Sequence, residues 1–470
     1  MTKNENDMTK RDPWRLEYHL MPEKGWLNDP NGANQFQGIY HIYHQYVPED
    51  ANGGATHWGH KTSSDMVYFK EEEIFLSPDQ VYDKDGVYSG SAIQHENQLH
   101  FFYTGNLKKE GAYDYLYEGR EQSVVHVVSS DGFDVLEREI VIDAKDFPKE
   151  LTTHVRDPKV FKQKDTFYML LGARSIENIG VILVYSSKNL EEWHYQGYFL
   201  EGEKEGGYMW ECPDYFELNG HDILLMSPQG LLPEKYENPH IAGYLVGEVD
   251  WEKLKFQPEE DFQELDYGFD FYAPQTFEDE SGRRILWAWM GVGDTAPEYI
   301  NPTLANNWQH ALTLPRELFF EDNKLKQRPL PEYQKIRKEL IKDEFISTEK
   351  YAIKRLTTEV YETSISFNEP SHYFELGLRE DTTLIFKEGT LSLEHGPSGY
   401  GRRWRSIELE EVKDLQIFSD KSSLEIFINN GEYVMTSRVY PREDINHFTL
   451  VADERGRLKI WALEKTIDFN

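Results

Sequence analysis

Trp26-Leu27-Asn28-Asp29-Pro30-Asn31-Gly32 is a short stretch, polar at its centre and hemmed by turn formers. Proline fixes its own φ and Asn-Gly favours a tight turn, so the chain must bend here. A bend presents the Asp29 carboxylate at the end of an element instead of burying it within one. The apolar run Ile39-Tyr40-His41-Ile42-Tyr43 follows. The same layout recurs four times. Leu99-His100-Phe101-Phe102-Tyr103 follows Tyr88-Ser89-Gly90-Ser91, and Thr166-Phe167-Tyr168-Met169-Leu170 follows Arg156-Asp157-Pro158. Asp222-Ile223-Leu224-Leu225-Met226 follows Glu211-Cys212-Pro213-Asp214, and Arg284-Ile285-Leu286-Trp287-Ala288 follows Tyr272-Ala273-Pro274-Gln275.

The five motifs begin at residues 29, 89, 157, 211 and 272, and in each the apolar run lies 11 residues further on. A repeat of roughly sixty residues with several short strands per unit is the signature of propeller blades. Turns such as Ser63-Ser64-Asp65, Ser129-Ser130-Asp131 and Ser186-Ser187-Lys188 each precede a further strand carrying Tyr68, Phe133 or Trp193. Each unit therefore reads as four antiparallel strands. The first strand of a blade lines the axis, so the five motifs are expected to converge on one end of a central channel.

Working outward, residues 1–10 read as a loose tail and 11–325 as a five-bladed β-propeller. Residues 326–345, rich in Lys, Arg and Pro, read as a connector with a short helix near Glu332–Leu340. Residues 346–470 alternate apolar and polar positions, with Asn429-Asn430-Gly431 between two such runs as a hairpin signal, and read as a β-sandwich. The fold class is all-β. The chain holds 50 basic and 84 acidic residues, net −34, which argues against a nucleic-acid or anionic-membrane partner. It has one cysteine, Cys212, so no intrachain disulfide can form, and residues 1–11 lack an apolar signal region, which points to the cytoplasm. Oligomeric state is not legible.

Three of the five motifs deliver an acid: Asp29, Asp157 and Glu211. These are read as equivalent places in their repeats. Carboxylates sharing a channel mouth cannot all ionise freely, so at least one pKa rises. An ionised carboxylate beside a protonated one is what glycoside hydrolysis requires. Trp26, Trp58, Tyr88, Trp210, Tyr272 and Trp308 flank the motifs and can form walls against sugar C–H faces, while Asn28, Gln45, Ser89 and Arg156 can bind hydroxyls. Asp157 has a plainer reading, an ion pair with Arg156. Strand alternation turns Cys212 away from the channel if Glu211 faces it, so Cys212 reads as a small buried residue. His41 with His44, and His57 with His60, have no acid or thiol nearby to complete a tetrahedron, and no metal or other cofactor is expected.

Arg15-x-x-Tyr18-His19-x-x-Pro22, the Trp26–Gly32 stretch, Gln45-Tyr46, Trp58-Gly59-His60, Tyr88-Ser89-Gly90-Ser91, Arg156-Asp157-Pro158 and Glu211-Cys212-Pro213-Asp214 together resemble glycoside hydrolase family 32. That family holds invertases, sucrose-6-phosphate hydrolases, inulinases and levanases. The resemblance implies a five-bladed propeller followed by a β-sandwich. It also implies Asp29 as nucleophile, Glu211 as general acid/base and Asp157 as transition-state stabiliser. The reaction would retain configuration through a fructosyl-enzyme, with Asp29 and Glu211 about 5–6 Å apart. Leu27, inside the first motif, is placed on the substrate side with its neighbours. Asp270-Phe271-Tyr272-Ala273-Pro274-Gln275 and Ala311-Leu312-Thr313-Leu314-Pro315-Arg316 look most like the bacterial sucrose-6-phosphate-cleaving branch. The expected partner is then a small sugar, sucrose 6-phosphate or sucrose. Fructan hydrolysis, fructosyl transfer and non-catalytic sugar binding are the competing readings. A 6-phosphate needs a local basic patch, for which Lys61 and Arg174 are candidates.

Overall fold

A computed structural model of the chain describes residues 12–467 apart from 233–234, 349–350, 354–355 and 443–446. The loose tail expected over residues 1–10 lies outside the described residues. The apolar runs read from the sequence are strands, each closed by a Gly, Asn or Asp turn. Five antiparallel sheets form the N-terminal part. Their first strands are β1 (Gly25–Phe36), β2 (Val87–His95), β3 (Leu151–Gln163), β4 (Met209–Leu218) and β5 (Tyr272–Glu278). Each of these packs against the next, and β5 packs against β1, so the ring closes as a five-bladed propeller. A two-residue strand, Trp308–Gln309, adds to β1 in parallel, pairing Gly25 with Trp308. Only glycine fits at Gly25: its φ is +85° and a Cβ would lie 2.0 Å from the Val47 carbonyl oxygen.

Every inner strand is interrupted at the same level by a bulge, where two residues oppose one. Asn28 and Asp29 face Gln45, Tyr88 and Ser89 face Thr104, and Asp157 and Pro158 face Leu171. Cys212 and Pro213 face Met226, and Ala273 and Pro274 face Ala288. Proline cannot donate to a ladder, so three X-Pro pairs fall where a ladder bond is already missing. Asp157, Cys212 and Ala273 sit at φ of 61°, 50° and 48°, a left-handed conformation that re-aims their side chains. The register corrects the reading that the three acids are equivalent. Asp157 is the first residue of its bulge and Asp29 the second. Glu211 precedes its bulge and stands level with Arg156 and Tyr272.

The C-terminal part is a sandwich of two six-stranded sheets. Phe374, Leu376, Leu384, Phe386, Ile417 and Ile426 fill the space between them, all fully buried. The connector expected over 326–345 is shorter. Lys324–Pro329 is the outer strand of the fifth blade, Pro331–Ile336 is a 3-10 turn and not the expected helix, and Arg337–Ile346 is an edge strand of the sandwich. That strand is largely polar, which hid its character in the sequence.

Buried charges join the two parts. Arg316 on the fifth blade donates to Glu425 of the sandwich at 2.6 Å and to Asp266 at 3.1 Å. Arg402 of the sandwich grips Asp270 with two bonds of 2.6 and 2.7 Å. His19 bridges Asp420 at 2.8 Å and Glu425 at 2.9 Å. Removing one partner from such a dry network leaves an uncompensated charge, at a cost of about 3–5 kcal/mol.

Candidate active site

A pocket of about 380 Å³ opens at the bulged end of the ring, and all five inner strands line it. Asn28 and Asp29 come from β1, Tyr88 and Ser89 from β2, Arg156 and Asp157 from β3, Glu211 from β4 and Tyr272 from β5. The bulges put these side chains at the mouth; an unbroken ladder would alternate them between mouth and blade.

Each acid is furnished differently. Asp29 accepts from the Ser89 hydroxyl at 2.5 Å and from the Asn28 amide at 2.9 Å. Burial pushes its carboxyl up to about 6, although both hydrogen bonds favour the ion. Asp157 accepts from the backbone N–H of Cys212 at 3.0 Å, and its own N–H donates to Thr104 Oγ1 at 3.0 Å. Burial pushes Asp157 up to about 7 against the pull of Arg156, and the charges of Glu211 and Asp29 push the same way as burial. Glu211 takes two bonds on Oε1 from Arg156, at 2.6 and 3.0 Å. On Oε2 it takes one from Tyr272 at 2.7 Å and one from Gln229 at 2.8 Å. Arg156 thus binds Glu211 most closely and also stands 4.0 Å from Asp157, so the expected Arg156–Asp157 ion pair is present as the longer arm of a pairing shared by both acids. Its remaining nitrogen donates to His154 Nδ1 at 2.9 Å. Burial, with Arg156 beside it, holds His154 down at about 3, so the ring is neutral.

Cys212 does not turn away from the acids. Its left-handed φ breaks the alternation, and Sγ stands 3.7 Å from Asp157 and 3.9 Å from Asp29. Burial and those carboxylates raise the thiol well above its ordinary range, so it stays protonated and is no nucleophile.

Of the expected binding residues, Trp26, Asn28, Gln45, Tyr88, Ser89, Arg156 and Tyr272 line the pocket. Three expected ones do not. Leu27 packs into the core beneath β1. Trp58 is fully buried in the first blade, donating to the Tyr88 carbonyl at 3.1 Å. Trp308 is fully buried, donating to Asp12 at 2.6 Å. Trp210, also considered as a wall, sits in blade core. Each neighbours a motif in sequence yet points to the opposite face. Arg120, Gln229, His240, Trp289 and Asp294 line the pocket without belonging to any motif. Gln229 and Trp289 end the second strands of their blades, the position Gln45 neighbours in the first; that analogy was a usable signal. Arg120, His240 and Asp294 carried none. Among the described residues no cluster of three or more His, Cys, Asp or Glu side chains is placed to hold a metal ion. A half-buried carboxylate held between hydroxyl and amide, an acid tied to an arginine and a tyrosine, and a third acid beside both can supply nucleophile, proton and charge stabilisation at one sugar carbon.

Two family models match. The one described as "Glycosyl hydrolases family 32 N-terminal domain" covers residues 19–329, and "Glycosyl hydrolases family 32 C terminal" covers 332–462. The chain is 39% identical over 468 residues to a sucrose-6-phosphate hydrolase of Bacillus subtilis, covering 96% of this chain and 95% of that one. It is 36% identical to a raffinose invertase of Escherichia coli, covering 93% and 92%. The solved sucrose-6-phosphate hydrolase from Lactobacillus gasseri superposes with a TM-score of 0.87 at 29% identity, covering 97% of this chain and 94% of that one.

Proposed function

The chain belongs to glycosyl hydrolase family 32 and is a glycoside hydrolase, and from that premise we propose that it cleaves the β-fructofuranosyl bond of sucrose 6-phosphate and of sucrose, with retention of configuration. The observation that carries this reading is the meeting of Asp29, Asp157 and Glu211 in one pocket from three separate blades.

Asp29 is the nucleophile. At neutral pH a carboxyl near 6 is mostly ionised, and the Ser89 and Asn28 donors fix the oxygen lone pairs. One Asp29 oxygen bonds the anomeric carbon of the fructosyl ring as the bond to the bridging oxygen breaks. Glu211 gives that oxygen its proton. Glu211 must first exchange part of its Arg156 and Tyr272 bonding for the bridging oxygen. In the second half, Glu211 takes a proton from water, whose oxygen displaces Asp29 from the carbon. Asp157, beside Asp29 and held by the Cys212 N–H, receives sugar hydroxyls and lowers the energy of the cationic ring. Trp26, Tyr88 and Trp289 supply apolar walls.

Cytoplasmic action belongs to the same reading, supported by a single unpaired cysteine. Two of the relatives named above are sucrose-6-phosphate hydrolases, which favours the phosphorylated sugar over fructan. The test is steady-state kinetics on sucrose 6-phosphate, sucrose and inulin, with proton NMR of the first-formed fructose. Initial release of β-fructofuranose from either disaccharide, at rates well above those on inulin, is expected. Release of the α-anomer, or preference for inulin, would reject it.

A further inference from the structure

In a chain with 84 acidic residues, an arginine left without an acid needs a reason. Arg120 begins the third strand of the second blade, Arg120–Ser129, and lines the same pocket as the three acids. Among the described residues its side chain has no carboxylate within ion-pair reach and no hydrogen bond, and its Nε is buried without an acceptor. Arg403 and Arg455 lack an acid too but are exposed to solvent, whereas the buried Arg379, Arg405 and Arg438, also without one, bond carbonyls, Asn238 and Ser422. The other pocket arginine, Arg156, is committed to Glu211 and His154. The basic residues that the sequence offered are committed too. Lys61 is bonded to Glu71, and Arg174 bonds Asn178 and lies 4.2 Å over the Tyr208 ring, outside the pocket lining.

A half-buried guanidinium next to a second one is costly to keep charged, and burial together with Arg156 pulls Arg120 below the usual arginine range. An anion docked against it would offset that cost. The pocket's own acids are already furnished with donors. Arg120 stands near enough to Arg156 for the two charges to repel, and Arg156 in turn holds Glu211, the acid assigned to the leaving oxygen.

We infer that Arg120 binds the phosphate monoester of the substrate's leaving sugar and so sets the preference for phosphorylated over plain disaccharide. The inference rests on the fructosidase reading above. A planar fork of N–H donors suits a phosphate, and charge-assisted bonds of this kind are worth roughly ten- to hundredfold in selectivity.

The test compares kcat/KM on sucrose 6-phosphate with kcat/KM on sucrose for the unmodified enzyme, Arg120→Gln and Arg120→Lys. The ratio should fall at least tenfold in Arg120→Gln, chiefly through KM for the phosphate ester. Arg120→Lys, which keeps a cation but not the fork, should retain an intermediate ratio. Inorganic phosphate should inhibit sucrose hydrolysis by the unmodified enzyme more strongly than by Arg120→Gln. An unchanged ratio overturns the inference. So does a change confined to inhibition by inorganic phosphate, which would mark a free-anion site. If the unmodified enzyme cleaves neither sugar, the fructosidase reading falls and takes this one with it; if it cleaves both and the ratio ignores Arg120, only this one falls.

Discussion

Replacing Asp29, the proposed nucleophile, should make the protein more stable while it stops turnover. Burial raises Asp29 from 3.8 to about 6. At neutral pH the carboxyl is ionised both folded and unfolded, so the native state carries the penalty in full. A rise of roughly 2 pKa units corresponds to about 3 kcal/mol. Asp29→Asn removes the charge at nearly constant shape. It keeps an acceptor for the Ser89 hydroxyl but turns an amide toward the Asn28 donor, which gives back about 1 kcal/mol. The net gain is about 2 kcal/mol. Unfolding entropy of about 2.1 cal/mol/K per residue makes 1 kcal/mol worth about 1 °C for a chain of this length unfolding as one unit. Calorimetry at pH 7 should therefore show Tm about 2 °C higher for the variant, with turnover down by at least about 10³-fold. The sign with pH is fixed. A carboxyl whose folded pKa is raised destabilises above that pKa and ceases to do so as pH falls toward the unfolded value. The advantage should shrink between pH 7 and pH 4. A variant no more stable than the parent at pH 7, or an advantage independent of pH, would refute the account of Asp29 as a half-buried, penalised ion.

Other measurements follow from the same geometry. Glu211→Gln should cost at least about 10³-fold in kcat with the fold intact; near-normal turnover would assign the proton transfer to another group. Arg156→Lys keeps the charge but cannot reproduce the two-pronged grip on Glu211, and kcat should fall by about 10- to 100-fold with the fold intact by circular dichroism. Arg402→Met strands Asp270 between propeller and sandwich and should cost about 3–5 kcal/mol in urea unfolding. Burial pulls His19 down, but Asp420 and Glu425 outweigh it and leave its pKa raised above 6.5. Its contribution is complete below 6.5 and lost as pH rises through the raised value. Tm should decline above neutrality, and this decline should be absent in His19→Gln.

The repeat was legible because blade spacing is a matter of chain length, and chain length survives into sequence. Local displacement is not legible in the same way. A bulge moves one residue by one step, and nothing about Cys212 announced that alternation fails there. That single step set Cys212 among the carboxylates and Glu211 level with Arg156. Trp58, Leu27 and Trp308 failed for the same reason: adjacency to a motif says nothing about the face a side chain takes. The connector failed because Arg337–Ile346 is too polar to read as a strand. Arg120, His240 and Asp294 reach the pocket from a third strand and from loops, positions that no residue pattern distinguishes from ordinary surface.

The parallel pairing of Gly25 with Trp308 bears on the order of synthesis. The strand that bears Asp29 is made long before its parallel partner, which is translated only after three further blades and the first two strands of the fifth. At about 5–20 residues per second, that leaves β1 with an open edge for tens of seconds. Just before that strand is made the nascent chain holds Asp29, Asp157 and Glu211 but not the completed fifth blade, so hydrolytic competence should arrive late and all at once.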